Sequence, residues 1–181
     1  MELGGSFTLP NTSMSLKRMG YGAMQLGGPQ VWGPPRDVDG AIDVLQEAVA
    51  SGVNHIDTSN FYGPHVTNQI IKRALHPYPD GLVIVTKVGA RRGADKSWHP
   101  ALSRQELIDG VHDNLRNLGL DRACGAEAAG VDWPYWSEQR HSCAAGRRAE
   151  NCGDCLRAEL VQLAQRNDDG FIDNLAKKGL A

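Results

Sequence analysis

Gly52-Val-Asn-His-Ile-Asp57-Thr-Ser-Asn-Phe-Tyr62-Gly63, followed across one helical stretch by Leu82-Val-Ile-Val-Thr-Lys87, decides how this chain is read. His55 to Ser59 and Leu82 to Lys87 are short apolar runs of strand type set between helical patterns. Such alternation builds parallel βα units with right-handed crossovers, and in α/β barrels the chemistry gathers at the C-terminal ends of the strands. Asp57 and Lys87 fall at those ends, with Tyr62 on the loop beyond. An ammonium beside a phenol stabilises phenolate and so makes the phenol a better acid, while a carboxylate beside the ammonium keeps it charged and oriented. Tyr62 is then a proton donor to a carbonyl oxygen. The hydride must come from elsewhere, because no side chain supplies one, and this implies a nicotinamide cofactor.

Outward from these strands the periodicity is regular. Phe7-Thr-Leu9 and Met14-Ser-Leu-Lys17 suit a small hairpin around Pro10-Asn11. Val38, Ala41, Ile42, Leu45, Ala48 and Val49 recur at helical spacing and stop at Gly52. Val66, Ile70, Ile71 and Ala74 mark a second helix before Pro77. Ser103 and Glu106 form a capping box for a third, whose apolar stripe is Leu107, Val111, Leu115 and Leu118, ending at Gly119. The alternation calls for a fourth strand after Asp121-Arg122, but the sequence there carries no strand run.

The strand-two segment resembles the aldo-keto reductase signature, approximately G-x-x-x-[IF]-D-T-[SA]-x-x-Y-G, and a Lys closes the family's third strand as Lys87 does here. The likeness runs from about Leu16 to Arg122, taking in Met19-Gly-Tyr-Gly-Ala-Met-Gln and Asn114-Leu-Arg-Asn-Leu-Gly-Leu-Asp-Arg122, and is nearest to the bacterial branch acting on pyridoxal and small aldehydes. The resemblance implies a TIM (β/α)8 barrel of which this chain writes only part, and NADPH-dependent reduction of a small-molecule carbonyl. It implies catalytic roles for Asp57, Tyr62 and Lys87, and a cofactor-facing turn at Gly22, Ala23 and Met24 beside Asp57. The fourth member of the family's tetrad, commonly a His after strand four, has no match. Neither do the Lys, Arg and Ser residues from the last strands that grip the adenosine 2′-phosphate. Trp32 and Trp98 on loops, with His65 at the start of the second helix, are candidates for the substrate pocket. His55 reads as a packed core residue, and Arg91-Arg92 with Lys96 as a solvated loop.

A full barrel takes roughly 250 residues, and this chain has 181. At most half a barrel is expected, over residues 1–122. From Ala123 to Gly153 there is no strand run and no clean helical period, yet Cys124, Cys143 and Cys152 lie there and Cys155 just beyond. Gly125 to Leu160, back-translated with permitted codons and read one nucleotide later, can give a family-like string that includes a Gly-Leu-Ser-Asn strand. Residues 123–162 are therefore expected to be an irregular, out-of-frame segment after an internal deletion. Frame returns near Leu163, and a family-like helix starts at Asn167. The alternative is a zinc site from His141, Cys143, Cys152 and Cys155, but only Cys152-Gly-Asp-Cys155 has recognised knuckle spacing, so no metal site is expected.

Composition is that of a globular chain, with 41% apolar and 22% charged residues and a formal net charge of −2. That charge argues against a nucleic-acid partner. No run reaches membrane-span length and the start lacks a basic n-region and apolar h-region, so the expected compartment is the cytoplasm, where thiols stay reduced. A half-barrel leaves open sheet edges, which invite self-association or pairing with an intact reductase as a non-catalytic module.

Overall fold

A computed structural model of the chain describes residues 4–9 and 14–121, and the backbone alone of 123–124 and 156–159. It opens on an antiparallel hairpin, β1 (Ser6–Thr8) and β2 (Ser15–Lys17), with Phe7 opposite Leu16. Asn54 fastens this hairpin to the body: its Nδ2 donates to the Ser15 carbonyl at 2.8 Å, and its Oδ1 accepts from the Lys17 N–H at 2.8 Å. Since Asn54 immediately precedes a sheet strand, the hairpin covers the end of the sheet opposite the candidate site.

The first sheet strand, β3 (Tyr21–Gly22), is shorter than the Met19 to Gln25 run suggests, because the backbone coils into a 3-10 turn over Ala23–Leu26. Helix α1 (Val38–Ala50) starts where the Asp37 carboxylate accepts the Gly40 N–H at 2.8 Å. It ends before Gly52, whose φ of +101° suits a residue without Cβ. Strand β4 (His55–Asp57), helix α2 (Val66–Leu75) and strand β5 (Val83–Lys87) follow. A second hairpin, β6 (Ala90–Arg92) with β7 (Trp98–Pro100), leads into α3 (Arg104–Leu118). The capping box is complete: the Ser103 hydroxyl accepts from the Glu106 N–H, and the Glu106 carboxylate accepts from the Ser103 N–H at 3.1 Å. The Ser103 hydroxyl and N–H together hold the Glu106 carboxyl below its ordinary range.

β3, β4 and β5 are parallel, with Ile56 between Tyr21 and Ile84. Leu45, Ile56, Ile71 and Leu118 have no solvent exposure. They belong to one cluster joining α1, β4, α2 and α3, and each such burial is worth roughly 1.5–3 kcal/mol. The expected alternation of strand and helix is thus what forms.

Beyond α3, β8 (Ala123–Cys124) and β9 (Leu156–Glu159) extend the same parallel sheet, in the order β3-β4-β5-β9-β8. β8 follows the Gly119 stop at the short spacing that βα connections favour. Leu156-Arg-Ala-Glu159 alternates apolar and polar, a period-two signal too short to stand out in sequence. β9, not β8, pairs with β5, so the sheet departs from the sequential strand order of a closed barrel. The architecture is α/β, an incomplete (β/α)8 barrel. His141, Cys143, Cys152 and Cys155 and the stretch from Asn167 lie outside the described residues.

Candidate active site

Asp57 ends β4 and Lys87 ends β5, and adjacent parallel strands bring the two side chains together. The Lys87 ammonium forms an ion pair with Asp57 Oδ1 and donates to the Thr58 carbonyl at 3.2 Å. Lys87 is mostly covered, with 12% of its side chain exposed, whereas Asp57 keeps 46%. Nζ of Lys87 stands 5.4 Å from the centroid of the Tyr62 ring. All three residues singled out in the sequence therefore meet at one end of the sheet.

The loop that delivers Tyr62 is built by local hydrogen bonds. The Ser59 hydroxyl donates to the Lys87 carbonyl at 3.2 Å, the Tyr62 N–H to the Ser59 carbonyl at 3.2 Å, and the His65 N–H to the Asn60 carbonyl at 2.9 Å. Gly63 turns the chain at φ +91°, where an added Cβ would lie 2.6 Å from Cβ of Val66. Only glycine fits there.

Behind the ion pair lies a buried polar ladder that the sequence reading missed. Thr58 follows Asp57 and its hydroxyl donates to Asn68 Oδ1 at 2.7 Å. Asn68 Nδ2 donates to Asn114 Oδ1 at 2.8 Å, which also accepts from the Thr86 hydroxyl at 2.5 Å, and Thr86 precedes Lys87. Asn114 Nδ2 closes the ladder on the Gly110 carbonyl at 2.8 Å. The available signal was positional: Asn114 sits between Val111 and Leu118 on the apolar stripe of α3, where a polar residue must find partners.

Gly22 is in register with Asp57. Among the described residues a Cβ built on it meets nothing within 4 Å, so the backbone at the end of β3 is open to close approach by a flat ring. Ala23 is buried and Met24 is 41% exposed beside it. Asn60 Oδ1, His65 Nδ1 and Thr67 Oγ1 are buried atoms without a hydrogen-bond partner, polar capacity left over along the Tyr62 loop. These observations fit a nicotinamide ring at Gly22 to Met24. Trp32 reaches the same region through a parallel bridge to Gly63. His65 occupies the position before α2 at φ +66° without capping it by its side chain.

His55 is half-buried with its ring packed over Gly20, where a Cβ would fall 2.0 Å from Nε2. Arg92 is not a solvated loop residue as the sequence suggested, but stacks 4.0 Å from the Trp98 ring, because the 90–100 segment folds into a hairpin. Asp95, Ser97 and His99 have the composition of a hydrolytic triad only: the Ser97 hydroxyl bonds Asp95 Oδ1 at 2.5 Å and His99 Nε2 at 2.7 Å, so the carboxylate does not orient the imidazole. Among the described residues no group of three or more His, Cys, Asp or Glu could hold a metal ion, and no helix is long and apolar enough to cross a membrane.

A Lys–Asp pair and a Tyr at the C-terminal ends of adjacent parallel strands define a (β/α)-barrel protein with its polar site at the expected end. The chain belongs to the aldo/keto reductase family, whose model matches residues 18–123. It is 69% identical over 116 residues to a pyridoxine 4-dehydrogenase of Escherichia coli, covering 64% of this chain and 40% of that protein. It is 32% identical over 123 residues to an NADH-specific methylglyoxal reductase of the same organism, covering 62% of this chain and 38% of that one. The chain thus spans about two fifths of the length of these relatives. Among solved structures, an aldo-keto reductase from Bacillus halodurans superposes with a TM-score of 0.60 at 17% identity, over 97% of this chain and 64% of that one. A second from Pseudomonas aeruginosa gives 0.58 at 21% identity, over 98% and 76%. Those likenesses carry the fold.

Proposed function

We propose that the site is that of a nicotinamide-dependent carbonyl reductase, with NADPH as the reductant and pyridoxal or another small aldehyde as substrate. The observation that carries this reading is the Lys87 ammonium held by Asp57 and placed 5.4 Å from the Tyr62 ring. Tyr62 gives its proton to the carbonyl oxygen, Lys87 stabilises the phenolate left behind, and Asp57 keeps Lys87 charged and aimed. Bound beside Gly22, the cofactor would supply the hydride. Gly22, Ala23, Met24 and Asp57 would line its ring, and Trp32 and His65 would border the substrate. The name of the 69%-identical relative supports a pyridine aldehyde or alcohol as the substrate pair.

The 181-residue polypeptide is expected to work poorly, because it spans two fifths of that relative and has no sequence match for the fourth tetrad member. A second reading is a non-catalytic half-barrel pairing with an intact reductase, favoured by β3, which among the described residues has β4 alone as a sheet neighbour. The two readings separate on one assay. The purified polypeptide is mixed with NADPH or NADH and pyridoxal, and loss of reduced nicotinamide is followed. Slow oxidation that needs pyridoxal and prefers NADPH supports the enzyme reading. Preference for NADH overturns the cofactor assignment, and oxidation that does not depend on pyridoxal overturns the substrate.

A further inference from the structure

The loop between β3 and α1 carries two residues in the left-handed region, Gln30 at φ +63° and the β-branched Val31 at φ +56°. Such backbone persists only where its surroundings impose it. Arg92, at the end of β6, is what lies against it. Its guanidinium donates to the Val31 carbonyl at 2.8 Å, the Gln30 carbonyl at 3.1 Å and the Lys96 carbonyl at 2.8 Å. The same plane lies 4.0 Å from the Trp98 ring centroid and 5.4 Å from that of Trp32. Lysine could not do this, since its point charge neither stacks nor forks across several carbonyls.

The loop so held adjoins the proton donor. The Val31 carbonyl also accepts from the Gly63 N–H at 3.1 Å, and the Gly33 N–H donates to the Gly63 carbonyl at 2.9 Å, one residue past Tyr62. On the other side Trp98 meets Phe61 edge-on at 5.5 Å, and Phe61 meets Tyr62 edge-on at 5.4 Å. A line of contacts runs from the Tyr62, Phe61 and Trp98 rings through the Arg92 guanidinium to the Trp32 ring, so Arg92 is the joint between the two loops.

We propose that Arg92 is a positioning residue that pins the strained 30–33 loop and thereby sets where Trp32 and Trp98 stand beside Tyr62, fixing the wall a planar carbonyl substrate meets. The loop clamp stands on contacts alone; its meaning for substrate rests on the carbonyl-reductase reading above.

The test uses the full 181-residue chain with Arg92→Met, which keeps a long stem without donors, and Arg92→Lys. Chymotrypsin cuts after both Trp32 and Tyr62, and the ratio of the two cleavage rates, read by mass spectrometry, cancels any general loss of stability. Release of the clamp should raise the Trp32-to-Tyr62 ratio by about tenfold in Arg92→Met, with Arg92→Lys between it and the parent, because cleavage follows the locally opened population. A ratio within about twofold of the parent in both variants overturns the proposal, whether or not overall cleavage rises. Where turnover is measured, KM for pyridoxal should rise in Arg92→Met with kcat within about twofold, since Tyr62, Lys87 and Asp57 are untouched. A fall in kcat at unchanged KM counts against the clamp. A chain without turnover whose cleavage ratio changes as stated upholds the clamp and speaks against the proposed activity.

Discussion

At the residue scale the site depends on small steric permissions as much as on its charged groups. Asp57, Tyr62 and Lys87 could be read from sequence because their chemistry is carried by residue type and strand position together. The turn that presents Tyr62 could be guessed only from Gly63, yet it is the less forgiving part. At φ +91°, with Cβ of Val66 2.6 Å from where a methyl would go, Gly63→Ala combines backbone strain with a clash. The substitution should cost about 2–4 kcal/mol in a denaturant titration. A cost under about 0.5 kcal/mol would mean that the turn relaxes freely and does not hold Tyr62 in place. Arg92 marks the other limit of residue-level reading. Whether its side chain is solvated depends on the 90–100 hairpin, a fact not written at the residue itself.

At the scale of elements, the three helices and the strands β4 and β5 were legible because each signal was local: apolar spacing, a capping box, a glycine stop. The strands β8 and β9 were not, since they run for two and four residues and are defined by their partners, and β3 keeps only two residues of the Met19 to Gln25 run. The buried ladder of Thr58, Asn68, Asn114 and Thr86 belongs to the same class of facts. It spans β4, α2, α3 and β5, so no single window contains it. It also sits directly behind Asp57 and Lys87, which makes it the element-level support for the ion pair. Asn114→Leu would leave Asn68 Nδ2 and the Thr86 hydroxyl buried without partners. At about 1–3 kcal/mol for each stranded group, the loss should be about 3 kcal/mol. A double-mutant cycle of Asn68→Ala and Asn114→Ala should show coupling of at least about 0.5 kcal/mol, and strict additivity would show that the two asparagines are independent.

For the whole molecule, an incomplete barrel explains why the site is recognisable although most of its walls are not written here. The candidate trio is formed by the second and third βα units, whereas a closed barrel supplies pocket walls from all eight. We propose that residues 123–162 are an out-of-frame translation, a reading motivated by clustered cysteines and lost periodicity between family-like flanks. Coding DNA decides it: shifting the frame by one nucleotide must expose an uninterrupted family-like string, and stops or unrelated residues in both other frames would refute it. Leu156–Glu159 pairs in parallel beside β5, and backbone pairing of this kind asks little of sequence.

The central claim, that Asp57, Tyr62 and Lys87 form a carbonyl-reducing site, is tested most directly by completing the barrel. Residues 1–121 are joined to the remaining strands of the Escherichia coli pyridoxine 4-dehydrogenase, and NADPH oxidation with pyridoxal is compared between this protein and its Tyr62→Phe variant. Turnover is expected in the first and a loss of about 10²-fold or more in the second, with cofactor affinity preserved. Equal turnover in the two proteins would contradict it.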